Sequence, residues 1–215
     1  MKLTLTDDER ERLSKQIAEA EKQTGAQIVL ATVKRSDNYA EIPWIAFALG
    51  ISVAGFLVFL NDVFIVKWIT NSVVLISILS TLATGIFLAI LTVFSPFLAR
   101  IFLSKNRSET ETRQYAESMF LNREIFATTG RRGVLLLVSL FERQVIILPD
   151  KGLHHILTST KLEEIIGEMV PLLRKGNLAG SLEKGLSHLK NELPETTDSA
   201  IKNELSDEII EEEGV

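Results

Sequence analysis

The chain has 215 residues, no cysteine, 23 basic against 28 acidic side chains and a formal net charge of −5. Disulfides and thiolate metal sites are therefore excluded, and the acidic total with scattered arginines excludes a nucleic-acid footprint. Two charge-free apolar runs, residues 42–60 and 73–99, stand inside a sequence that is otherwise that of a soluble domain.

In chain order, residues 6–24 predict a helix. Thr6 with Glu9 forms a capping box, Leu13, Ile17, Ala20 and Thr24 share a face, and Gly25 stands at the left-handed end cap. Residues 26–33 are apolar and rich in β-branched side chains, which predicts a buried strand. The first apolar run follows at Ile42, and its 19 residues would rise roughly 28 Å as a helix, the thickness of a bilayer's hydrocarbon core. Both runs are expected to cross a membrane as a helical hairpin, with residues 61–72 as its connecting turn. Because the first run begins behind a charged amphipathic segment, an anchor is expected rather than a cleaved leader.

Lys34 and Arg35 precede the first run, Arg100, Lys105, Arg107 and Arg113 follow the second, and the turn carries only Lys67. The positive-inside bias then places both soluble parts and both termini in the cytoplasm. No ionisable side chain lies within the spans, which argues against an ion path. Small residues recur four apart: Ala46, Gly50 and Ala54 in the first, and Ser77, Thr81, Gly85 and Ala89 in the second. Such stripes permit close packing, within the hairpin or against a second copy in a homo-oligomer.

After the hairpin, Ser108 with Glu111 repeats the capping pattern and predicts a helix through Tyr115, Met119 and Phe120, ending before Gly130. Two strands, 133–141 and 144–148, are joined so tightly around Glu142 and Arg143 that they form an antiparallel hairpin. Thr160 with Glu163 caps a helix with Leu162, Ile165, Ile166, Met169 and Val170 on its apolar face, and a last helix carries Leu182, Leu186, Leu189 and Leu193. Residues 195–215 hold eight acidic residues against Lys202, a local charge of −7, and are expected to be a disordered tail. Strand, crossover, strand predicts a right-handed parallel unit in which the crossover contains the hairpin. The expected fold is therefore α/β, with a small mixed sheet between helical layers. One soluble domain spans 1–41 and 100–194, interrupted by spans 42–60 and 73–99.

Residues 5–10 (Leu-Thr-Asp-Asp-Glu-Arg), Glu21 with residues 24–29 (Thr-Gly-Ala-Gln-Ile-Val), the strand at 133–139, Glu142-Arg143 and Asp150-Lys151-Gly152 resemble the TPM domain, in a form that carries its spans inside the domain. The resemblance implies a three-layer α/β/α fold and, for the form with internal spans, the inner membrane of a bacterium. For some soluble members it also implies an acidic site for a divalent metal and an acid phosphatase activity. Soluble members begin with a further strand ending in an aspartate, whereas here only residues 1–5 precede the first helix.

The candidate chemistry lies at the two ends of the expected sheet. Asp150 should meet Gly25, Gly130, Arg131 and Arg132 at one end, either as a Ca2+ or Mg2+ ligand or paired with an arginine. Arg131 and Arg132 would hold a phosphate or an ion pair. Asp37, Tyr39, Glu41, Glu142 and Arg143 gather at the other end, where parallel strands present their carboxyl termini, as a ligand or partner edge or a polar collar at lipid headgroups. There Tyr39 and Trp44 would be interfacial anchors. His154 and His155 are adjacent and His188 is the third histidine, so a three-histidine zinc site is not expected. Glycine-rich phosphate loops and serine-hydrolase signatures are absent from the sequence. The expected function is an anchored accessory or scaffold module binding a protein partner, with a metal-dependent phosphatase as the alternative.

Overall fold

The computed structural model describes residues 4–64, 71–196, 204–207 and 209–214. Two compact units divide them: residues 1–37 with 108–215, and residues 38–107.

The first unit begins with α1 (Asp7–Thr24), opened by the Thr6–Glu9 capping box and closed by Gly25 at φ 67°. Strand β1 (Gln27–Arg35) follows, and after the second unit come α5 (Lys105–Asn122), β2 (Gly133–Ser139), β3 (Gln144–Pro149), α6 (Ser159–Arg174), α7 (Leu178–Glu192) and β4 (Ile210–Gly214). The sheet order is β3-β2-β1-β4. β1 runs parallel to β2, with Gln27 opposite Gly133 and Val33 opposite Ser139, and β2 runs antiparallel to β3.

Alternation along each strand divides the core into two layers. Ile28, Leu30, Val134, Leu136, Val138, Val145 and Ile147 join Leu13, Ile17, Ile165, Met169, Leu182, Leu186 and Leu189 from α1, α6 and α7. Val29, Ala31, Val33, Leu135, Leu137 and Ile146 join Ala116 and Met119 from α5. The result is the expected α/β/α arrangement, with a mixed sheet buried on both faces.

In the second unit, α2 (Glu41–Phe64) and α3 (Asn71–Phe94) form an antiparallel pair, and α4 (Pro96–Phe102) follows. The apolar runs thus become helices longer at the hairpin tip than expected, since residues 61–64 and 71–72 are helical rather than turn. The rest of that turn, with Lys67, lies outside the described residues. The second run does not continue as one helix to residue 99. Pro96 lacks the N–H that would extend the ladder, so α3 stops at Phe94 and Ser95 caps α4, its Oγ accepting from Leu98 N at 3.4 Å. Ala46, Gly50 and Gly85 are buried, and Ala54, Ser77, Thr81 and Ala89 are half-buried. A Cβ added at Gly50 would lie 2.9 Å from Gly85 Cα, so the two backbones touch there. These two glycines therefore pack against the facing helix within the chain.

Three further expectations are corrected. α5 starts at Lys105, and Ser108, expected as its cap, is an interior, buried residue; Ser104 Oγ accepts from Arg107 N instead. α6 is preceded by Thr158, which makes no side-chain cap bond, so Thr160 and Glu163 do not open it. The end of the tail is ordered: Ile210–Gly214 pairs with β1, Ala31 opposite Ile210 and Arg35 opposite Gly214. Apolar burial alone would not fold so acidic a segment, and backbone pairing with an otherwise open strand edge supplies what burial does not. The tail residues 197–203, with Lys202, and residues 208 and 215 lie outside the described residues.

Candidate functional site

At the carboxyl ends of β1 and β2, the turn after β2 folds Glu142 inward, and its side chain is buried. Its Oε1 accepts from Ser36 N at 3.0 Å and from Ser36 Oγ at 2.6 Å, and its Oε2 accepts from Ser139 Oγ. Ser36 Oγ also lies 3.2 Å from Thr112 Oγ1 on α5. A buried carboxyl needs such donors, and three of them, two from the residue just after β1 and one from the end of β2, bind the exit of β1 to the β2–β3 turn. Arg143 sits at φ 55° to close that turn. Arg35 lies 4.5 Å above the Phe141 ring.

This placement changes the reading of the partner edge. Glu142 is buried with its oxygens accepting from Ser36 and Ser139, and Tyr39 is 1% exposed. Asp37 and Arg143 are half-buried, and Trp44 is 71% exposed. Ser36, Thr112 and Ser139, none of which the sequence reading singled out, complete the cluster. The available signal was Ser139, a hydroxyl closing an apolar strand three residues before a glutamate in a tight turn.

The opposite end of the sheet gathers Gly25, Gly130, Arg131, Arg132 and Asp150, as the topology requires. Asp150 Oδ2 lies 2.9 Å from Arg131 Nε, and its Oδ1 accepts from Lys151 N at 2.7 Å. Arg131 also stacks 5.4 Å from the Phe126 ring, and Arg132 Nη2 donates to the Thr24 carbonyl at 2.6 Å. Gly152 is required because a Cβ would overlap the Gly130 carbonyl. A hard divalent cation asks for six or more oxygens, several of them anionic. Among the described residues no three His, Asp or Glu side chains converge, and Asp150 faces a guanidinium, so this donor set does not fit Ca2+ or Mg2+. Of the histidines, His154 Nε2 lies 3.0 Å from the Pro149 carbonyl oxygen and His188 Nε2 lies 3.0 Å from Glu168 Oε2.

Near the same end lies a carboxyl pair that the sequence reading passed over. Glu21, buried on α1, accepts from Ile28 N at 2.7 Å and shares a hydrogen bond with Asp207. Burial, then the neighbouring carboxylate, pushes its carboxyl up to about 8. Its signal was positional, because residue 21 falls one turn after Ile17 on the apolar face of α1. A separate groove of about 510 Å3 opens beside β3 and α6, lined by residues that include Arg113, Ile146, Leu148, His154, Leu162 and Ile166.

The fold defines a class: an α/β/α sandwich whose β1–β2 crossover carries a pair of long apolar helices. The TPM domain model matches residues 2–54 and 84–192, and the chain belongs to that family. No curated protein sequence matches it. A solved structure similar to it is the NMR structure of the BA42 protein from the psychrophilic bacterium Bizionia argentinensis. The identity is 15%, the TM-score 0.53, and the similarity covers 98% of this chain and 97% of that one. At that identity the likeness concerns the fold alone.

Proposed function

We propose that this protein is a membrane-anchored TPM-domain module that acts as an accessory or scaffold for a protein partner. The observation that carries the reading is the surface of the helical hairpin. α2 and α3 are each 24 residues long, and an 18-residue stretch of each has a mean hydropathy of 2.2 and 2.5, respectively. Core helices of soluble proteins hide their apolar side chains, whereas here Phe56, Leu57, Phe59, Leu75, Ile76 and Phe87 are each about 60% exposed. Lipid is the solvent that such a surface suits, and 24 residues span about 36 Å. The basic residues at 34, 35, 100, 105, 107 and 113 favour a bacterial inner membrane with the α/β unit on the cytoplasmic side.

The scaffold role is preferred to hydrolysis because Asp150, the residue a metal-dependent phosphatase reading would use, is engaged by Arg131 and Lys151 N. The surfaces left for a partner are the half-buried Asp37–Arg143 edge and the groove beside β3. The test is purification of the tagged full-length chain in mild detergent. A protein retained in stoichiometric amount, and lost on Asp37→Arg with Arg143→Glu while the fold persists, is the expected result. Hydrolysis of an aryl phosphate that depends on Mg2+ or Ca2+ and disappears in Asp150→Asn would replace the scaffold reading with the hydrolase one.

A further inference from the structure

The family match ends at residue 192, and β4 lies beyond it. Within the matched span the sheet has three strands, β3-β2-β1, and the outer edge of β1 is covered by β4 from outside that span. An apolar strand edge left uncovered pairs with other chains.

The contacts made by this segment are those by which a sheet edge reads an incoming peptide. The backbone ladder runs from Ala31 opposite Ile210 to Arg35 opposite Gly214. Side chains then alternate between faces. Glu211 receives two hydrogen bonds from Arg10 on α1, at 2.9 and 3.0 Å. Glu212 turns to α5, accepting from the Tyr115 hydroxyl at 2.5 Å, and receives Arg123 Nη2 at 2.8 Å. Glu213 pairs with Lys34 on β1. Ile210 is half-buried against the core layer under α5. Upstream, Gln27 Oε1 accepts from the backbone N–H groups of Glu204 and Leu205 at 2.7 and 3.0 Å, while Thr129 donates to the Glu204 carboxylate. At the far end Gly214 has φ 84°, and a Cβ there would overlap the Arg35 carbonyl oxygen. The position therefore selects glycine twice, by dihedral and by contact.

A ladder that gives affinity, with alternating pockets that give selectivity, is the pattern of strand addition. Little apolar surface holds the strand in place. Its ion pairs are solvent-exposed, with side chains such as Arg123 and Lys34 about half exposed, so they are individually weak and sensitive to salt. We propose that the outer edge of β1, with Arg10, Lys34, Tyr115 and Arg123, is a docking site for an extended acidic peptide of the pattern apolar-Glu-Glu-Glu-Gly, and that the C-terminal strand is its tethered, displaceable occupant. This inference concerns the α/β unit and does not rest on the hairpin lying in lipid.

The test uses a fluorescein-labelled synthetic peptide of residues 204–215 and the full-length chain in detergent micelles, read by fluorescence anisotropy. The wild-type chain binds the peptide weakly, because its own tail competes at an effective concentration on the order of millimolar. The triple variant Glu211→Lys, Glu212→Lys, Glu213→Lys repels its own tail from the basic edge and should bind the wild-type peptide at least about tenfold more tightly. Gly214→Val in the full chain ejects the tail sterically without changing charge and should produce the same gain. A peptide carrying Gly214→Val, or the same residues in scrambled order, should lose about tenfold or more. The proposal is overturned if both chain variants stay folded by circular dichroism yet bind the peptide no better than wild type. It is equally overturned if the scrambled peptide binds as well as the native one, since that would reduce the edge to nonspecific charge.

Discussion

Two buried glutamates dominate what single residues are expected to do. Glu142 is a buried acceptor whose donors come from Ser36 and Ser139. Glu142→Ala would strand those donors in the interior, and the loss expected is about 2–4 kcal/mol in denaturant unfolding. At Glu21, burial and then Asp207 push the carboxyl up to about 8 in the folded state. A carboxyl raised in the folded state favours folding most below its unfolded value, near 4.5. That contribution is lost as pH rises through the folded value. Stability should therefore fall between about pH 5 and pH 8, by up to about 1.4 kcal/mol per pH unit, and Glu21→Gln should flatten the slope. Glu212 has the opposite sign. The Tyr115 hydroxyl, followed by Arg123, holds its carboxyl below the ordinary range, so its share of tail docking survives at neutral pH and is lost in acid. Melting curves of Glu21→Gln and Glu212→Gln across pH 4–9 separate the effects.

At the scale of elements, what could be read from the sequence was what alternation and capping chemistry write locally. The first helix, three of the four strands and the apolar hairpin follow from the Thr6–Glu9 box, Gly25, the β-branched run after it and the absence of charge in residues 42–60 and 73–99. The cap readings at Ser108 and Thr160 failed because a hydroxyl followed three residues later by glutamate also occurs inside a helix. Only tertiary burial tells that Ser108 is interior. The fourth strand was illegible because its composition is that of a solvated tail. Its order derives from partners more than 75 positions away in sequence, such as Tyr115, Lys34 and Arg10, which no local window contains. The candidate site was legible as a set of sheet ends, through Asp150, Arg131, Glu142 and Arg143. The engagement of those groups with Lys151 N, Ser36 and Ser139 was not, because ion pairing and hydroxyl donors leave no periodic trace. Within the hairpin, Gly50→Leu should separate α2 from α3 at their closest approach. Resistance to unfolding in a graded series of sodium dodecyl sulfate should fall by about 1–3 kcal/mol, while Gly55→Ala, at a position with open space around it, should leave it unchanged.

For the whole molecule, the central point is that one α/β core is assembled from two stretches of sequence separated by about 70 residues, which hold a pair of lipid-suited helices. β1 and β2 are hydrogen-bonded neighbours, so the core cannot form until both stretches have been made. An inserted helical hairpin that crosses and returns leaves both stretches on one side of a bilayer, which is what their pairing demands. The absence of native cysteine allows single reporter thiols to be placed at will. Asp62 is exposed near the tip of α2, and Lys151 is exposed on the α/β unit. The decisive measurement is labelling of Asp62→Cys and Lys151→Cys, in separate chains, by a membrane-impermeant maleimide applied to intact bacterial spheroplasts. The account predicts that Asp62→Cys reacts from outside and that Lys151→Cys reacts only after the membrane is opened. Equal labelling of both positions in intact spheroplasts, or labelling of Lys151→Cys alone, would contradict it.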